Sequence, residues 1–300
     1  MISVPLKLEG VTCRSHHSLG IYELNDKIVF LHSMLGDVPL EQITKTTVFP
    51  EYIIADFLTP DFITHKQSSL KYTVKKVLFS TCCKCDTEND RLLLNTMYHP
   101  PKGGMFTDNS RQNTLDKLIE IRSDSLCEIG DSPEPTAKIY SDNRTYVFNE
   151  YSVRMSSPFT MECTLNKTNT LVWQLRLTAY LYTEIEEKDG ILYFGTAGKG
   201  GHFYGISLRD GNVLLDYDTG DTVSYTWHGK NVLMIDRKDD VIMLDLETGS
   251  LVKRFTLKQS DSEKQKLLAT PNMMVKDNKL YVVATSRKDF YEFYAVCIEL

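Results

Sequence analysis

The chain has no apolar stretch of the length a membrane-spanning helix needs. About eighteen consecutive apolar residues would be required, and none occurs in its 300 residues. It also lacks a basic excess. Against 40 Asp and Glu stand 34 Lys and Arg, a net charge of −6, and the cations are scattered. A nucleic-acid binder draws most of its affinity from phosphate neutralisation and shows the opposite balance, so no nucleic acid is expected. The N-terminus, Met1-Ile2-Ser3-Val4-Pro5-Leu6-Lys7, has neither the basic start nor the long apolar core of a secretory leader. A cytoplasmic product with no membrane partner is the expectation; a chain trimmed of its leader would read the same.

Chemistry is thin as well. The 7 cysteines are odd in number and irregularly spaced, which argues against a disulfide framework and for free thiols. No Gly-x-Ser-x-Gly elbow occurs, and spacing assembles no Ser/His/Asp set. Carboxylate pairs such as Glu186-Glu187 and Asp239-Asp240 fall at turns, where solvated charges are ordinary.

What the chain does have is repetition. Six times a tight polar turn leads into a short apolar strand. The copies are Asp26–Leu31, Lys75–Phe79, Asn143–Phe148, Asp189–Phe194, Lys230–Ile235 and Asn278–Val283. Counted from residues 27, 76, 144, 190, 231 and 279, the intervals are 49, 68, 46, 41 and 48. Strand-rich repeats of this length predict an all-β chain, a single β-propeller domain over residues 1–300 with about six four-stranded blades and a range of five to seven. Each copy reads as strands a to d from the axis outward. Strand a is expected at Ser18–Leu24, Tyr52–Phe57, Ala137–Tyr140, Leu181–Ile185, Ser224–Trp227 and Asn272–Val275. The c–d hairpin is legible at Leu118–Leu126, Cys163–Leu171, Gly205–Val213 and Met243–Leu251, each turning on Gly, Asp, Asn or Ser. The chain ends on Tyr294–Leu300, a strand c without a d, and Ile2–Leu8 can supply it. Joining the termini gives a closing interval of 48, in step with the rest, and would leave no long open edge.

Residues Asp189–Thr196 with Phe203–Gly211, and Val241–Gly249, resemble the quinoprotein-type (PQQ-like) propeller repeat. The likeness extends well over about residues 180–257 and implies a fold. Quinone-binding members resemble eight-bladed rings with regularly placed tryptophans, whereas this chain has only Trp173 and Trp227; no cofactor is expected.

Regular strands are explained by packing, so function is sought in the irregular b–c loops. These are expected at Ser33–Gln42, Thr81–Asn113 (an insertion in the second blade), Asn149–Pro158, Thr196–His202, Asp236–Asp240 and Thr285–Glu292. Candidate partner-binding residues on this face are Lys199, His202, Phe290, Tyr291, Tyr151 and Arg154, with exposed aromatics favoured as interface anchors. Phe293 is expected in the core. Weak metal candidates are His16 and His17 before the first inner strand, and Cys82 with Cys85, a lone CxxC without the second pair a zinc site uses. The remaining histidines 32, 65, 99, 202 and 228 do not recur at one repeat position, so a ring of ligands is not expected. Ala197–His202 lacks the helix a phosphate-cradling loop opens. The expectation is a monomeric, non-catalytic scaffold for a protein partner, a bacterial toxin-immunity protein being one version. An enzyme working in the central channel, a metal-dependent lyase or hydrolase or a degenerate quinoprotein, is the alternative.

Overall fold

The sequence alternates short apolar runs with polar turns, and in a computed structural model these become antiparallel meanders. The structure describes residues 1–43, 47–74, 84–88, 91–96, 117–131, 145–198, 200–220, 224–258 and 266–300. Among these residues the protein is all-β, without an α-helix.

Strand β1 (Ile2–Leu6) comes first. Sheet I contains β2 (Cys13–Leu24), β3 (Lys27–Gly36), β4 (Phe49–Leu58) and β5 (His65–Val74). Sheet II contains β6 (Lys84–Glu88), β7 (Arg91–Asn95), β8 (Lys117–Ile121) and β9 (Leu126–Asp131). Sheet III contains β10 (Thr145–Phe148), β11 (Tyr151–Ser157), β12 (Thr160–Leu165) and β13 (Leu171–Arg176). In sheet IV the first strand is split into β14 (Tyr180–Leu181) and β15 (Glu186–Lys188), followed by β16 (Ile191–Ala197), β17 (Gly201–Ser207) and β18 (Val213–Gly220). Sheet V contains β19 (Tyr225–His228), β20 (Asn231–Ile235), β21 (Val241–Asp245) and β22 (Leu251–Phe255). Sheet VI contains β23 (Leu267–Lys276), β24 (Lys279–Ser286) and β25 (Phe293–Glu299), completed by β1 in the order β1-β25-β24-β23. The N-terminal strand thus lies on the last strand, Val4 opposite Ala295 and Leu6 opposite Phe293.

Two compact units result: residues 1–141 with 258–300, and residues 142–257. In the first unit, sheet I is buried on both faces. Ile28 and Phe30 face sheet VI with Leu6, Tyr281, Val283 and Phe293, while Val29 and Leu31 face Leu92, Leu94 and Ile119 of sheet II. That is why β3 is apolar without alternation: a strand covered on both sides has no solvent face to leave polar. In the second unit, Phe194 and Ile206 of sheet IV pack on Val153 and Met161 of sheet III. Val232 and Leu244 of sheet V pack on Tyr193 and Phe203 of sheet IV.

The second unit builds one c–d turn three times. Asn169 N–H donates to Leu165 O at 2.8 Å, Gly211 to Ser207 O at 2.9 Å and Gly249 to Asp245 O at 2.8 Å. Each donor has positive φ (54°, 73° and 66°), which Gly and Asn tolerate best. The turn of sheet IV also seats the strand before it: Trp173 Nε1 donates to Leu208 O at 2.8 Å.

In two copies the strands occupy other places in their sheets than the repeat predicts. Tyr52–Phe57, expected as the first strand of the second copy, is the third strand of sheet I. The apolar run at residues 77–79 lies outside the described residues, and the second strand of sheet II is Arg91–Asn95. Thr145–Phe148 is the first strand of sheet III and not its second. Tyr151–Ser157, expected as a loop, is therefore a strand. A turn followed by an apolar run looks alike for any strand of a meander, and only pairing distinguishes them. Part of the expected 81–113 insertion is likewise regular, since Lys84–Glu88 pairs with Arg91–Asn95.

Candidate functional site

His16, His32, Asp56 and His65, from the four strands of sheet I in turn, form a slanting line, with Gln67 of β5 beside it. Registry sets the slant. Ser18 stands opposite His32, Phe30 opposite Asp56 and Leu58 opposite His65, so each successive polar residue sits two positions along from its neighbour's partner. Positions two apart share a face, and this face is the one that meets sheet VI.

Along the line, His16 Nδ1 lies 2.8 Å from the Tyr291 carbonyl and His16 Nε2 lies 2.6 Å from His32 Nδ1. His32 Nε2 lies 2.6 Å from Asp56 Oδ2. The other oxygen of Asp56 accepts from His65 Nε2 at 2.5 Å and from Gln67 Nε2 at 2.8 Å. His16, His32 and Asp56 are buried, and His65 is one-third exposed on its side chain. Phe293 stacks on the His16 ring at 4.0 Å with planes 13° apart.

Burial alone would raise the Asp56 carboxyl. The hydrogen bonds from His32, then His65 and Gln67, outweigh it and hold the group down at about 2. Burial and the charge of His32 push His16 down to about 3. His65 is shifted upward, chiefly by its hydrogen bond to Asp56. Each ring nitrogen on the line faces a single partner instead of a common point, and no metal-binding group of three such side chains occurs among the described residues.

At its β2 end the line meets a surface loop through His16 and the Tyr291 carbonyl. Residues 287–292 join β24 to β25, and their fold is set by local bonds. Ser286 N–H donates to Glu292 O at 3.0 Å and Glu292 N–H to Asp289 O at 3.0 Å; Tyr291 N–H donates to Asp289 Oδ1 at 2.9 Å. On this frame Phe290 is 64% and Tyr291 47% exposed. The expected loop and its two aromatics are present, and Phe293 is buried as expected. His16 belongs beneath them, which spacing did not reveal.

Other candidates lie elsewhere. His17 is on β2 opposite Ser33 and is shifted downward by burial. His202, on β17, lies in the other unit and bonds Asp216 Oδ1 at 2.5 Å, stacked on Tyr204. Tyr151 and Arg154, expected on a b–c loop, are strand residues of β11. Tyr151 packs on the core between sheets III and IV, and Arg154 pairs with Glu162 across the sheet at 3.3 Å. Lys199 and Cys82 lie outside the described residues, as does the side chain of Cys85. His32 and His65 do not recur at one repeat position, and Asp56 and Gln67 belong to no motif. Their signal was a polar residue inside an apolar strand: His32 after Ile28-Val29-Phe30-Leu31, and Asp56 within Ile53–Leu58.

No family model matches the chain, and no curated protein does. Among solved structures it is similar to BamB from Moraxella catarrhalis at 12% identity, over 95% of this chain and 100% of that one, with a TM-score of 0.39. It is similar to the computationally designed Ika8 protein at 10% identity, over 95% and 98%, also at 0.39. The designed Ika4 protein matches at 15% identity over 52% of this chain and 89% of its own, with a TM-score of 0.34. Likenesses of this extent carry nothing about activity or partner, and the fold is described on its own pairings.

Proposed function

We propose that the chain is a six-bladed β-propeller that closes through β1 and binds a protein partner on its b–c loop face, without chemistry of its own. Support for the fold comes from the repeated four-stranded meander and the pairing of β1 with β25. One observation carries the binding reading: two aromatic side chains stand exposed on a six-residue loop held by three internal bonds and, from beneath, by His16. Rigid aromatics are strong interface anchors because little conformational freedom is lost when they are covered. On a solvated surface an exposed Phe gains nothing from its position.

The test is a photo-crosslinking amino acid at residue 288 in the producing cell. A single protein should be trapped in stoichiometric amount, and the Phe290→Ala/Tyr291→Ala variant, folded as judged by an unchanged melting temperature, should trap at least tenfold less. Equal trapping by that variant, or no stoichiometric partner with the native loop, would defeat the reading.

A further inference from the structure

Hydrogen-bond bookkeeping along the sheet I line fixes how many protons it holds. The Tyr291 carbonyl can only accept, so His16 Nδ1 carries a hydrogen. Asp56 Oδ1 is occupied by Gln67 Nε2, which can only donate, and by His65 Nε2. The carboxyl is held down at about 2, so it is ionised and His32 Nε2, 2.6 Å from Oδ2, carries a hydrogen too. Between His16 Nε2 and His32 Nδ1, 2.6 Å apart, one further proton is required, because two lone pairs at that separation repel. Two neutral imidazoles have two N–H groups between them, and this arrangement needs three.

We propose that His16 and His32 share one excess proton in the folded protein, and that this proton is what holds the 287–292 loop in place, so that the display of Phe290 and Tyr291 depends on pH. The second part rests on reading that loop as a binding element. Asp56 balances the charge, and Phe293 offers its ring face to the imidazole. Burial and its neighbour push His16 well below its ordinary value, and the Asp56 carboxylate lies against the His32 end of the pair.

Loss of the excess proton leaves two hydrogens for three contacts. The bond to buried, ionised Asp56 is charge-assisted and is kept, and the close His–His contact cannot persist without its proton. The neutral Tyr291 carbonyl, on an exposed loop, is the acceptor that loses its donor. Groups facing the pair do not supply a substitute. On β2, His17 only opposes a second charge on His16. On β4, Glu51 lies on the opposite face from Asp56, toward sheet II. Asp289, at the loop's base, is engaged by the Tyr291 amide. From sheet VI, Tyr281 and Cys297 donate to the Pro60 carbonyl, and Lys279 pairs with Glu299 at 3.5 Å.

Long-range 1H–15N spectra of the uniformly labelled, partner-free protein test both parts, with His16→Asn and His32→Asn variants used for assignment. At pH about 7.5, where free imidazole is mostly neutral, the two rings should show one pyridine-like nitrogen between them. As pH rises a second should appear, and the Tyr291 and Glu292 amides and the Phe290 ring should shift with the same midpoint. Two pyridine-like nitrogens at pH 7.5 would overturn the shared proton. Loop signals that stay constant while the rings titrate would overturn the coupling. Neither readout involves a partner, so failure here is separate from failure of the binding reading.

Discussion

Asp56 is the residue on which the buried line depends. It is fully buried and accepts from His32, His65 and Gln67, and breaking a buried ion pair costs about 3–5 kcal/mol because a charge is left uncompensated. Asp56→Asn should lower the unfolding free energy by about that much, read from the urea midpoint; a loss under about 1 kcal/mol would mean the site is solvated in the native state. Linkage gives a second test. Free imidazoles are half-protonated near pH about 6.5, so in the unfolded chain His16 and His32 together hold about one excess proton there, the number held when folded. Below that pH the unfolded chain binds more protons, and stability rises with pH. Above it the unfolded chain binds fewer, and stability falls. The lowered value of His16, about 3, belongs to the acid limb. Asp56 extends that limb: its folded value is depressed to about 2, so its contribution is present above its unfolded value and is lost as pH falls toward about 2. His65, raised by Asp56, adds to the alkaline limb, its contribution being lost as pH rises through its folded value. Glu51, raised by burial to about 7, costs stability as pH rises toward that value. Urea midpoints between pH 3 and 9 should therefore rise and then fall with the maximum below about 6.5, and the His16→Asn variant should flatten the acid limb.

At the scale of elements, two hairpin turns of sheet IV, Gly190 between β15 and β16 and Gly211 between β17 and β18, separate conformational strain from packing. Gly190 has φ +77° with nothing within 4 Å of an added Cβ, whereas an added Cβ at Gly211 (φ +73°) would lie 2.7 Å from Trp173 Cγ. Left-handed backbone costs a non-glycine residue roughly 1–2 kcal/mol. Gly190→Ala should cost about that much, and Gly211→Ala more, since Trp173 is pinned by its bond to Leu208 O. Equal urea midpoints for the two would show that the Trp173 contact is loose. The c–d turns were the legible part of the chain. All four expected c–d hairpins occur, as does the pairing of the first strand with the last, because turn residues and alternation are local signals. Phase was not legible at Tyr52–Phe57 or Thr145–Phe148, since a strand's place in a meander is decided by its partner. The buried line was half legible. Tyr291 and His16 could each be singled out, but what joins them is registry across β2, β3 and β4, and registry shifts by a residue at the irregularity between Ser18 and Gly20.

For the whole chain, the consequential pairing is the one between its ends. β1 covers the edge of β25 through five residue pairs, and Leu6 is 1% exposed among Phe30, Phe293 and Ala295. Burying a leucine of that kind is worth about 1.5–3 kcal/mol, and removing the strand also uncovers a row of unpaired backbone groups, the usual template for edge-to-edge association. Deleting residues 1–6 should therefore do two things that a surface truncation would not. The first unit, which contains β1, β25 and the buried histidine line, should lose amide-exchange protection in β23–β25 and in β2–β4, because Leu6 packs across the seam that holds them together. The second unit, residues 142–257, has no residue of β1 in its cores, so β16, β17, β20 and β21 should keep theirs. The shortened chain should also self-associate in a concentration-dependent way, and adding the six-residue peptide in trans should reverse this by restoring the edge. Uniform loss of protection across both units would show that they unfold as one, and unchanged protection would show that β1 is dispensable to the sheet it completes.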